Sequence, residues 1–85
     1  MHERILTYDL RNGTSSDYLD LLDLIDEYGG LQLTESTYYI KTDEALEIFK
    51  RKFYNVTKPG DSMVIITIFR DRKKDSHYLK LYRIR

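Results

Sequence analysis

Asp9 is the side chain whose position in the sequence points most directly to chemistry. It stands near the end of the run Arg4-Ile5-Leu6-Thr7-Tyr8-Asp9-Leu10, a string rich in β-formers that reads as a strand. Its carboxylate therefore falls at a sheet rim. In a two-fold dimer two such carboxylates can face each other and share a hard cation such as Mg²⁺, which takes oxygen ligands and keeps several waters. A metal held there can activate water for phosphodiester hydrolysis. The structural alternative is that Asp9 buttresses the Asn12-Gly13 loop by accepting backbone N–H bonds.

A second group carries positive charge. Arg70, Arg72, Lys73 and Lys74 crowd one loop, and Lys80, Arg83 and Arg85 follow it with Tyr78 and Tyr82 interleaved. Cations mixed with aromatics can hold a nucleic-acid backbone and stack on bases. The same residues also suit a solvated hairpin tip and a charged edge strand that resists aggregation. Arg11, just after Asp9, is the one further cation beside the rim carboxylate. Acids gather elsewhere: Asp17, Asp20, Asp23, Asp26 and Glu27 recur along one segment. Such a face repels phosphate and suits a basic protein partner, as in a nucleic-acid mimic. His2 and His77 have no nucleophile or metal-ligand spacing around them.

These groups need elements to position them. Tyr18, Leu21, Leu22, Ile25 and Tyr28 recur at helical spacing after a possible Ser15 or Ser16 cap, and Gly29-Gly30 ends that helix. Leu31 to Glu35 and Thr37 to Lys41 alternate with period two, as two strands or one bent strand. Thr42 is expected to cap a second helix, with Asp43 and Glu44 in its first turn and with Ala45, Ile48, Phe49 and Phe53 as its buried face. Lys58-Pro59-Gly60-Asp61 is a turn. Ser62 to Phe69 is the most apolar strand and belongs deep in the sheet. His77 to Arg85 alternates strictly, sending Tyr78, Lys80 and Tyr82 one way and Leu79, Leu81 and Arg83 the other. The order predicts an α+β domain, ferredoxin-like βαββαβ with an additional C-terminal strand. Right-handed crossovers then place both helices on one face of an antiparallel sheet. The opposite face is left bare, and a second copy is the economical way to cover it.

The chain has 85 residues and no cysteine, enough for one domain over residues 1–85 and with no disulfide to support it. Its zero net charge is a balance of unlike halves. Residues 1–49 hold three bases and eleven acids, and residues 50–85 hold eleven bases and three acids. No leader-like or membrane-length apolar run stands out, which makes a cytoplasmic protein the expectation.

Three segments resemble one superfamily. Ile5-Leu6-Thr7-Tyr8-Asp9-Leu10 is similar to the opening strand of the CRISPR-associated protein-two family. Ser36-Thr37-Tyr38-Tyr39-Ile40-Lys41-Thr42 resembles the third-strand motif of its short bacterial relatives, and Pro59-Gly60-Asp61-Ser62-Met63-Val64-Ile65 resembles the start of their fourth strand. The virulence-associated protein D endoribonucleases share that fold. The resemblance implies a homodimer, a Mg²⁺-linked Asp9, and double-stranded nucleic acid or RNA as partner, in an endonuclease or a DNA-binding adaptation subunit of antiviral defence. The acidic segment Asp17, Asp20, Asp23 and Glu27 supports a different expectation. That alternative is a non-catalytic phage or mobile-element protein that blocks a basic host nuclease.

Overall fold

The computed structural model describes residues 1–11, 15–71, 73–74 and 76–85, and leaves the side chains of Ser15, Ser16, Asp17 and Asp71 undescribed. The elements run β1 (His2–Asp9), α1 (Ser15–Glu27), β2 (Leu31–Thr34), β3 (Thr37–Thr42), α2 (Leu46–Asn55), β4 (Ser62–Asp71) and β5 (Ser76–Arg83). The five strands form one antiparallel sheet in the order β2-β3-β1-β4-β5. Since β3 is antiparallel to both β1 and β2, those two run parallel with β3 between them. The fold is therefore α+β, two helices and a five-stranded sheet. Among the described residues no helix is long and apolar enough to cross a membrane.

Alternation along β1 sets the two sides. Arg4, Leu6 and Tyr8 are buried, whereas Glu3, Ile5 and Thr7 are only half-covered. The buried set joins Tyr38 and Ile40 of β3 and Met63 and Ile65 of β4 in one core. Leu21 and Ile25 of α1 and Phe49 and Phe53 of α2 close that same core. Both helices thus pack on one face. The other face carries Ile5 and Thr7, Tyr39, Val64, Ile66 and Ile68, and then Leu79 and Leu81, which the β4–β5 register places opposite Ile68 and Ile66. Leu79 and Leu81 are 54% and 67% exposed.

Turn chemistry ends α1 as the glycines suggest. Gly29 takes φ 66°, and the Gly29 and Gly30 N–H groups donate to the carbonyls of Asp26 and Ile25 at 2.9 and 3.1 Å. Gly30 has a second reason to be glycine: a Cβ there would stand 2.6 Å from Cγ2 of Ile25. The segment after it is two strands, with a register shift between Gln32 and Thr34.

The second helix departs from expectation. It begins at Leu46, behind an Ala45 N-cap with no side-chain bond. Thr42 Oγ1 instead accepts the Glu44 N–H at 3.1 Å and shapes the turn before the helix, so Asp43 and Glu44 precede α2. The inward stripe is Leu46, Phe49, Phe53 and Val56. Ala45 and Ile48 lie off it and are exposed, because two phenylalanines one helical turn apart fill the space over the sheet.

One core position carries a charge. Arg4 is 1% exposed. Its Nη2 donates to the Glu44 carbonyl at 2.7 Å, and its guanidinium lies 4.7 Å from the centroid of Phe49. Among the described residues Nε and Nη1 meet no acceptor, and the buried hydroxyl of Thr67, its register partner on β4, has no hydrogen-bond partner. Burial lowers the Arg4 pKa from its ordinary value, against the pull of Glu44. Replacing a desolvated charge by an apolar side chain of similar length is often neutral or stabilising, by about 1–3 kcal/mol. Truncating the same side chain opens a cavity and costs about 2–4 kcal/mol. Urea unfolding of Arg4→Met is therefore expected to give stability equal to or above wild type, and of Arg4→Ala a clear loss. Equal losses in both variants would mean that the guanidinium itself anchors the core.

Candidate nucleic-acid interface

The cations of the second half of the chain meet where α2 runs beside β5. Because Phe49 and Phe53 face inward, Lys50, Arg51 and Tyr54 face outward on α2. Alternation sends Tyr78, Lys80 and Tyr82 to the helix-covered side of β5, opposite Phe69, Thr67 and Ile65. Strand pairing continues past β5: Ile84 N–H donates to the Met63 carbonyl at 3.0 Å, and Met63 N–H to the Arg85 carbonyl at 3.2 Å. This brings the chain's last residues against α2. A groove of about 300 Å³ results, lined by Glu47, Lys50, Arg51, Tyr54, Arg83 and Ile84.

Rings and cations alternate along this edge. The Lys50 ammonium lies 5.2 Å from the Tyr82 centroid and 3.6 Å from Glu47. Arg85 lies 4.1 Å over Tyr54, held by a 3.0 Å bond from its Nε to Thr57 Oγ1. Lys80 lies 5.6 Å from the ring of Phe69, which stacks on Tyr78 at 5.0 Å and 12°. The sequence marked Lys80, Arg83 and Arg85 but missed Lys50, Arg51 and Tyr54. Their outward spacing on a helix was the available signal, but only the packing of α2 joins them to β5.

The remaining sequence-derived residues fall in three other places. Arg70 stands on the uncovered face, where its Nε and Nη2 donate to Glu3 at 2.6 and 3.2 Å. Lys73 and Lys74 are exposed in the β4–β5 turn, and Arg72 lies outside the described residues. Arg11 sits at the other end of β4, roughly 30 Å away at the usual strand rise. There its Nε lies 3.4 Å from Asp9 Oδ2. Asp9 is exposed, pairs with Ser62, and follows Glu3, Ile5 and Thr7 in alternation onto the uncovered side. Asn12 and Gly13, the loop that Asp9 could buttress, lie outside the described residues. Among the described residues no three His, Asp or Glu side chains cluster as metal ligands. Asp61, which the sequence placed only in a turn, is buried and ties two loops together. It accepts the Arg11 N–H at 3.0 Å and the Lys58 N–H at 2.8 Å.

The acids of α1 stay apart from the groove. Asp20, Asp23, Asp26 and Glu27 are exposed, and α1 has no base in its last turn. Asp17 lies in the same helix. The helix leads through Gly29-Gly30 into β2, the edge strand opposite β5.

Two polar clusters are tuned by hydrogen bonding. Glu44 accepts bonds from the hydroxyl of Tyr28 and, at 2.8 Å, from Lys52. Partial burial works against its charge, but these two donors hold Glu44 below its usual range. Burial, reinforced by Glu44, pushes Tyr28 up to about 12. On the uncovered face, Arg70 first and the Tyr39 hydroxyl second, the latter at 2.7 Å, hold Glu3 at about 2 instead of 4.5. A depressed carboxylate pKa contributes stability that is complete above the unfolded value and is lost as pH falls through the folded one. Wild type is therefore expected to melt above Glu3→Gln at neutral pH, with the difference closing between pH 4.5 and about 2. Thermal melts across that range read it directly, and a gap independent of pH would remove the ion pair as its cause.

In comparisons with protein-family models, curated proteins and solved structures, none matches this chain.

Proposed function

We propose that this protein is a cytoplasmic, homodimeric, nucleic-acid-associated protein of ferredoxin-like architecture. The observation that carries the reading is the groove between α2 and β5, lined by Lys50, Arg51 and Arg83 together with Tyr54, Ile84 and Glu47. Cations that share a surface with aromatic rings suit a phosphodiester chain, whose affinity comes largely from counterion release. The acids of α1 lead instead to the β2 edge and leave this surface positive.

The dimer follows from the uncovered sheet face. Leu79, Leu81, Ile66 and Ile68 form an apolar surface there, and a two-fold copy covers it with the same residues. Asp9 stands on that side, so the same symmetry turns two Asp9 carboxylates toward one axis. Mg²⁺ would be held by Asp9, its copy and water, and it would supply the activation of a water nucleophile. The strand order β2-β3-β1-β4 and the three segments similar to the CRISPR-associated protein-two family agree with this reading.

Fluorescence anisotropy with RNA and with duplex DNA, paired with light scattering, tests it. The expected mass is that of two chains. Binding is expected to weaken steeply between about 50 and 200 mM salt. Replacing Lys50, Arg51 and Arg83 by alanine should lower the slope of log K against log salt by about 0.7–0.9 for each phosphate that is no longer neutralised. A lone subunit that binds neither nucleic acid at low salt would overturn the reading. Mg²⁺-dependent cleavage that survives Asp9→Asn would remove Asp9 alone.

A further inference from the structure

We infer that the α2–β5 edge is a binding site for single-stranded nucleic acid, with the stacked Phe69–Tyr78 pair as a platform for one base and the Lys50–Arg51–Arg83 groove as the seat of the phosphates. The inference rests on the nucleic-acid reading above and adds strandedness and a base-contacting residue to it.

Tyr78 is 53% exposed, yet its ring is fixed nearly parallel to that of Phe69, 12° from it at 5.0 Å. An exposed ring already held by a neighbour loses little freedom when a base stacks on it. Lys80 stands beside this pair, over Phe69, and Tyr82 follows on the same side with Lys50 over its ring. Tyr78, Lys80 and Tyr82 thus repeat ring, cation and ring at roughly 6.7 Å, twice the strand rise. The repeat leads from the β4–β5 turn toward the groove at Tyr54 and Arg83.

Two features select a single strand. In a duplex the base faces are stacked on one another, so Tyr78 has nothing to stack on, whereas an unpaired base offers its face. The cationic surface is also short. Glu47 stands on the groove wall, and on the uncovered side of the sheet Arg70 is already bound to Glu3. A strip of this length suits roughly four nucleotides of one strand, fewer phosphates than the roughly six to ten that a typical duplex binder neutralises. Stacking accepts any base, so sequence preference is expected to be weak.

Anisotropy with the full chain at about 50 mM salt decides the matter, using oligothymidylate and oligouridylate of about a dozen nucleotides and a DNA duplex of similar length. Both single strands are expected to bind more tightly than the duplex. Tyr78→Ala should weaken single-strand binding about tenfold, Tyr78→Phe should restore it, and duplex binding should not respond to either. Lys80→Glu, at an exposed side chain, should show the same ordering should Tyr78→Ala fail to fold. Preference for one of the two oligonucleotides assigns DNA or RNA. Duplex bound as tightly as single strand, or a folded Tyr78→Ala with unchanged affinity, overturns the single-strand site while the broader reading stands. No binding of any of the three overturns both.

Discussion

A five-stranded sheet has two faces, and this chain has helices for one. That constraint organises the molecule. Leu6, Tyr8, Ile40, Met63 and Ile65 are buried because Leu21, Ile25, Phe49 and Phe53 lie over them. Ile5, Tyr39, Val64, Ile66 and Ile68 stay half-covered, on the face away from both helices. A domain of this size removes barely enough apolar surface to offset its chain entropy. An aliphatic face left in water is therefore a large fraction of what stability remains to be gained, which is the physical case for a second copy.

Topology turns a linear charge imbalance into a spatial one. The sheet order places β2 and β3, from the acidic half of the chain, on one side of β1, and β4 and β5, from the basic half, on the other. Opposite charges separated in sequence are thereby kept apart in space. Among the described residues three pairs cross the divide: Glu3 reaches Arg70, Glu44 reaches Lys52, and Glu47 reaches Lys50. Each brings an acid from the first half to a base of the second, and the Glu47–Lys50 pair lies in the groove itself. The groove keeps a positive balance because Lys50, Arg51 and Arg83 outnumber Glu47 along its lining.

Period-two patterning made β1, β4 and β5 legible in the sequence, and glycine and proline chemistry made the turns legible. The inside–outside assignment of Tyr78 to Tyr82 needed nothing but alternation, whereas Arg83, which pairs with Val64, also lines the groove beside α2. The start of α2 was not legible, because Thr42 is as good an N-cap as any side chain in the segment, and only the packing of Phe49 and Phe53 moves the helix onset to Leu46. Arg4 was opaque for a related reason. A charged residue in alternation with Leu6 and Tyr8 signals an edge or a rim, whereas here a carbonyl and a ring receive it in the core. The site was half legible. Its β5 residues were marked by interleaved cations and tyrosines, but Lys50, Arg51 and Tyr54 join them through a contact between elements distant in sequence. Arg70 shows the converse: a cation that charge alone assigns to phosphate is claimed by Glu3 at short range.

The same alternation in β5 separates two roles that would otherwise compete. Leu79 and Leu81 point to the uncovered face, and Tyr78, Lys80 and Tyr82 point to the side of α2. A copy seated on the aliphatic side therefore leaves the ring-and-cation side open, and a ligand along that side leaves the aliphatic side free to pair. Two-fold symmetry would set two such edges on the outside of one particle. A ligand long enough to reach both would then gain by effective concentration without any new contact. A one-residue register slip in β5 would exchange the two sets, placing leucines toward α2 and tyrosines on the uncovered face. The pairing that holds register, from Ser76–Asp71 through Arg83–Val64 and on to the Met63–Ile84 bonds, is thus the element on which both surfaces depend.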